Sequence, residues 1–79
     1  MTKEEILRLS EEIKLRRFKE KKSQDDCAKM LDMSIPTYRD IEYNPNKMNL
    51  EQAFKLSEFL NWNLFEFFLQ NILQNAIKK

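Results

Sequence analysis

The stretch Gln24-Asp25-Asp26-Cys27-Ala28-Lys29-Met30-Leu31-Asp32-Met33-Ser34-Ile35-Pro36-Thr37-Tyr38-Arg39-Asp40-Ile41-Glu42-Tyr43 decides the fold. Two short amphipathic runs flank a break at Asp32-Met33-Ser34. The first carries Cys27, Ala28 and Leu31 on one face, and the second carries Tyr38 and Ile41 at i, i+3. Ser23 and Ser34 stand where N-caps belong, Asp25 and Asp26 fill the first turn of the first run, and Pro36 lies in the first turn of the second. The expectation is two helices, 24–31 and 35–43, crossing steeply with close backbone approach at Ala28. The second must plug one face into a core and leave its outer face free, which is the arrangement of a helix-turn-helix.

Working outward, the same periodicity predicts a helix over 3–22, with Thr2 as cap and Glu5 three residues on as in a capping box. Ile6, Leu9 and Ile13 form its stripe, widened by Leu7, Leu15 and Phe18. Its second half holds Lys14, Arg16, Arg17, Lys19, Lys21 and Lys22. Such a run can be a solvated face that complements the helix dipole, or an edge that contacts phosphates. Residues 44–48 form a loop. Asn49 caps a helix over 50–60 striped by Ala53, Phe54, Leu56, Ser57 and Leu60. Trp62 plugs the core, and Asn63 caps a last helix over 64–77. Leu64 and Phe67 suit the core. Phe65, Phe68, Leu69, Ile72, Leu73 and Ala76 form a second stripe, which a monomer this small would leave exposed, so a homodimer interface is expected there. The other reading folds that helix back wholly into the core. The chain has no glycine, and Asp32, Asn44 and Asn61 stand where helices should end, as the residues that best tolerate a left-handed backbone.

Seventy-nine residues, 42% of them hydrophobic, make one small domain spanning 1–79. The absence of alternating β-branched runs argues for an all-α fold. The formal net charge is +1, so any attraction for nucleic acid must be local. With no histidine and one cysteine, no internal disulfide, metal site or cofactor is expected. Cys27 reads as a small core residue in a reducing, cytoplasmic setting. No signal peptide is expected from an N-terminus charged from Lys3 onward, and no apolar run approaches the ~20 residues of a membrane span. Without a phosphate-binding glycine loop or a nucleophile beside a base, an enzyme is not expected.

From about Ile13 to Phe67 the chain resembles the Cro/CI-type helix-turn-helix domain of phage and bacterial repressors. The resemblance rests on Ile13 and Arg17; Ser23-Gln24, Cys27-Ala28 and Leu31; Met33-Ser34; Thr37, Ile41 and Glu42; and Leu50, Leu56, Leu60, Trp62, Leu64 and Phe67. It implies a compact five-helix bundle of lambda-repressor-like type with its third helix in the major groove of double-stranded DNA. It implies a partly buried pair between Arg17 and Glu42, and a phosphate contact by Gln24, which also braces the recognition helix. It implies a second phosphate-contacting segment from Asn44 to Lys47. It places Ser34, Ile35, Pro36, Thr37, Arg39, Asp40 and Tyr43 at the DNA surface, on the cap and exposed positions of the recognition helix. Ile35 and Pro36 stand where members often carry glutamines, and can offer apolar contact to thymine methyls. Arg39 is the guanine reader, and Asp40 can accept from cytosine.

The expected function is a small sequence-specific regulator, a Cro-like repressor acting as a dimer on a pseudo-palindromic operator. The alternative is the same fold turned to protein binding, as an antirepressor or inhibitor of another regulatory protein. The apolar and aromatic residues of the third helix and its lack of basic character motivate it.

Overall fold

The computed structural model describes residues 2–64 and residue 66. Among them lie four α-helices and one 3₁₀ turn: α1 (Lys3–Lys19), α2 (Gln24–Met30), α3 (Ile35–Tyr43), the turn Pro45–Lys47, and α4 (Leu50–Phe59). No strand occurs among the described residues. Leu64 and Glu66 are helical, and the Asn63 amide donates to the Glu66 carboxylate at that helix start. The rest of the helix expected over 64–77, including Phe65, Phe68, Leu69, Ile72, Leu73 and Ala76, lies outside the described residues.

Local chemistry sets each boundary. Thr2 with Glu5, Ser23 with Asp26, and Asn49 with Gln52 form reciprocal capping boxes, and Ser34 Oγ accepts from the Thr37 N–H at 3.3 Å. Each such cap satisfies backbone donors that helix geometry leaves unpaired, at ~1 kcal/mol apiece. The Asp26 pKa is held below the usual aspartate range by its bonds to the Ser23 backbone and side chain. This cap's contribution is therefore present above that range and is lost as pH falls through the depressed value.

The C-termini repeat one device. Lys21, Asp32 and Asn61 have φ of 56°, 56° and 49°. Around them the N–H of Lys22 reaches Arg17 O (2.9 Å), that of Met33 reaches Ala28 O (3.0 Å), and that of Trp62 reaches Ser57 O (3.0 Å). These are Schellman closures built without glycine. Asp32 and Asn61 stand where they were expected. Asn44 ends α3 without the left-handed backbone, at φ −125° and ψ 71°, because Pro45 disfavours helical geometry in the residue before it. Lys21 takes the third left-handed position instead, so α1 stops at Lys19 rather than Lys22.

The core joins Leu9 and Ile13 of α1, Cys27 and Ala28 of α2, Tyr38 and Ile41 of α3, Met48, Ala53, Leu56, Leu60 and Leu64. Burial raises the Cys27 thiol pKa, as befits a core residue. Trp62 packs half-buried against this cluster. Leu7, Leu15 and Phe18 do not widen the α1 stripe: they are 62%, 48% and 76% exposed. At about 100° per residue they fall on the far side of the helix from Leu9 and Ile13. Phe54 of α4 is likewise half-exposed.

A lysine held left-handed carries a steric cost that glycine lacks. Lys21→Gly should raise the unfolding free energy by about 0.5–1 kcal/mol, net of the entropy glycine adds to the unfolded chain. Urea denaturation measures it, and a destabilised variant would contradict this account of the α1 terminus.

Candidate nucleic-acid interface

Glu42 organises the site. Its side chain is 1% exposed, and the Arg17 guanidinium closes on it with two bonds, Nε to Oε2 and Nη2 to Oε1, both 3.1 Å. Arg17 Nη1 also donates to Lys22 O at 3.2 Å. Burial works against the Arg17 charge, but hydrogen bonding and attraction to Glu42 outweigh it, so the guanidinium pKa lies above its ordinary value. The pair expected between these residues is present, and it ties the end of α1 to α3. About two turns closer to the start of α1, the buried Ser10 hydroxyl donates to the Glu42 backbone oxygen at 2.6 Å. Ser10 was not singled out from the sequence, although it sits beside Leu9 on the core edge of the helix. Burial drives the Tyr38 phenol pKa far upward, so Tyr38 stays neutral. Its hydroxyl lies in the Cys27 and Glu42 neighbourhood with no well-formed hydrogen bond.

With that inner face fixed, α3 turns Pro36, Thr37, Arg39, Asp40 and Tyr43 to solvent, together with Ser34 at its cap. Ile35 is a correction. It is half-buried against the core, because at N1 it lies i, i+3, i+7 with Tyr38 and Glu42. Pro36 therefore carries most of the apolar surface at this end. Gln24, half-buried at the first position of α2, accepts from Arg39 Nε at 3.0 Å and donates towards Glu42 Oε1 at 3.5 Å. Asp40 accepts from Lys47 Nζ at 2.9 Å and from the Asn44 amide at 3.1 Å. The lysine first, then the amide, hold the Asp40 carboxyl below the usual aspartate range. The acid's charge is thus neutralised locally. The latch is present above that range and is lost as pH falls through the depressed pKa. Asn44 was expected as a helix end and as the start of a phosphate-contacting loop; its anchoring of Asp40, four residues back, is new.

The basic run of α1 does not form one edge. Lys14 lies over the Tyr43 ring (5.7 Å), Arg16 over Trp62 (5.4 Å) and Lys22 over Phe59 (4.7 Å), while Arg17 is committed to Glu42. Lys14 and Arg16 on the helix, and Lys22 beyond its end, cap aromatic surface, each contact worth ~0.5–1 kcal/mol where exposed. No helix among the described residues is long and apolar enough to cross a membrane.

A family model described as helix-turn-helix matches residues 13–67, which takes in Arg17, the paired helices and the whole of α4. The chain belongs to the Cro/CI-type helix-turn-helix family. As a Cro/CI-type protein it is a DNA-binding transcriptional regulator. Comparison with curated proteins and with solved structures gives no match. In this Cro/CI-type chain α2, the turn Asp32–Ser34 and α3 are the helix-turn-helix, and the surface carrying Gln24, Pro36, Thr37, Arg39 and Lys47 is its candidate DNA face.

Removing one partner of a buried pair leaves the other charge uncompensated. Arg17→Met should therefore cost ~3–5 kcal/mol in urea unfolding, whereas the double variant Arg17→Met/Glu42→Leu should recover most of the loss. A single-variant cost under about 1 kcal/mol would show that the pair does not brace the fold.

Proposed function

We propose that the protein is a small Cro-like repressor that binds a pseudo-palindromic operator as a dimer, with α3 in the major groove. The observation that carries this reading is the two-sidedness of α3: Glu42 and Tyr38 are locked inward, while Pro36, Thr37 and Arg39 are exposed on the outer face. Arg39 reads guanine, Pro36 and Thr37 meet thymine methyls or base edges, and Asp40 accepts from cytosine where Lys47 releases it. Lys47, Lys19 and Lys21 supply the local positive charge that a net charge of +1 does not. The stripe Phe65, Phe68, Leu69, Ile72, Leu73 and Ala76 pairs two copies, so that two α3 helices meet half-sites ~34 Å apart. The setting is cytoplasmic.

A second reading, the fold used as an antirepressor or inhibitor of another regulator, is favoured by one feature. A groove of about 250 Å³ runs between the first half of α1 and the end of α3, lined by Ile6, Leu7, Tyr43, Asn44 and the lysines Lys3 and Lys14. Tyr43 is 71% exposed there, and exposed aromatic surface suits protein contact more than base reading.

Selection of bound sequences from random duplex DNA, followed by affinity measurement at rising salt, tests the repressor reading. A two-fold-related motif and a negative slope of log affinity against log salt are expected. Lys47→Ala should weaken binding to all sequences alike and reduce the salt slope by about 1. No enriched motif, together with recovery of a stoichiometric protein partner, would favour the second reading.

A further inference from the structure

We infer that Gln24 is a positioning residue for Arg39, which it holds so that one edge of the guanidinium alone is offered to a guanine. The inference rests on the DNA-binding reading of α3; it departs from the phosphate contact that the family resemblance implies for Gln24, and it gives the brace that the resemblance also implies a single partner, Arg39, and a consequence for which base is read. The orientation of the Gln24 amide follows from its neighbours. Its oxygen faces the Arg39 Nε–H at 3.0 Å and its nitrogen faces the Glu42 carboxylate at 3.5 Å. The flipped amide would set N–H against N–H and oxygen against carboxylate, so only one orientation is favourable. Glu42 is itself fixed by the two bonds from Arg17. A continuous chain thus runs from the buried pair through Gln24 to the exposed Arg39.

The consequence is chemical as well as steric. A guanidinium can bind an acceptor pair through the edge made of Nε and one Nη, or through the end made of its two Nη groups. With Nε committed to Gln24, the end remains. Among the described residues nothing bonds to the two Nη groups of Arg39. That end matches the O6 and N7 acceptors of guanine in the major groove. An unheld arginine on an exposed helix would spread its contacts over phosphates and bases, and would lose side-chain freedom on binding. Gln24 removes that freedom before DNA arrives. Lysine at position 39 could not replace this geometry, since an ammonium has no fork.

The test combines sequence selection with a direct probe of the held side chain. In wild-type protein the Arg39 Nε–H should exchange slowly with solvent, and in Gln24→Ala it should exchange several-fold faster with the fold intact. On DNA, Arg39→Ala should abolish the preference for one G·C pair in each half-site. Gln24→Ala should cut that same preference about tenfold, within the range of one bidentate base contact. The double variant should discriminate no worse than Arg39→Ala alone. If Gln24→Ala weakens all sequences equally and keeps the guanine preference, Gln24 contacts phosphate and the inference is overturned. Loss of preference at a different base pair from that of Arg39→Ala overturns it as well. Should the wild-type protein select no motif, the DNA reading of α3 fails, and with it the guanine role. The exchange measurement then still decides whether Gln24 holds Arg39, and equal exchange in the two proteins overturns the positioning claim on its own.

Discussion

The buried carboxylate of Glu42 is the constraint on which the remaining structure depends. A charge taken out of water must be met by donors, and two helices supply them, α1 through Arg17 and α2 through Gln24, while Ser10 of α1 donates separately to the Glu42 backbone oxygen. Burying such a pair contributes little net stability compared with an apolar contact of the same shape. What it supplies is direction. A leucine at position 42 would pack at several rotations of α3, whereas a carboxylate gripped by a two-pronged guanidinium fits one. The rotation so selected turns Pro36, Thr37, Arg39, Asp40 and Tyr43 outward.

That outward face is unusual in its electrostatics. Its acid, Asp40, is matched within the chain by Lys47 and Asn44, and its arginine is held by Gln24. The surface therefore presents few free charges, and those free are fixed in place. Binding through such a face relies on orientation more than on bulk attraction, consistent with the near-neutral balance of the whole chain. The Asp40–Lys47 pair is exposed and exchangeable, so Lys47 can leave it for a phosphate at little cost.

Much of this was legible in the sequence because it is local. Thr2 with Glu5, Ser23 and Asn49 mark helix starts by side-chain reach alone, with the answering bonds of Asp26 and Gln52 added by the structure, and Asp32 and Asn61 mark ends by their tolerance of positive φ. The Arg17–Glu42 pair came from the family resemblance, not from spacing. What escaped was set by tertiary context or by competition between local rules. Ile35 was placed outside by the family resemblance, but it shares the Tyr38–Glu42 face. Asn44 lost the left-handed position to the proline after it, and Lys21, with no propensity for it, took that conformation where the chain had to turn towards α2. The six cations from Lys14 to Lys22 read either as a solvated face or as one phosphate edge; in the structure α1 ends at Lys19, and Tyr43, Trp62, Glu42 and Phe59 each claim one of the six. The Gln24–Arg39 bond joins residues fifteen apart and has no periodic signature.

The face of α3 turned outward by the Glu42 anchor is the surface proposed to meet DNA. Backbone amide shifts of isotopically labelled protein, followed as a duplex carrying the selected motif is added, test it most directly. Perturbations concentrated at Gln24, Ser34, Thr37, Arg39, Asp40 and Lys47 are expected, with Leu15 and Phe18 on the far side of α1 unmoved. Shifts centred on Leu7, Lys14 and Tyr43 with the outer face of α3 unchanged, or no shifts at any concentration, would contradict it.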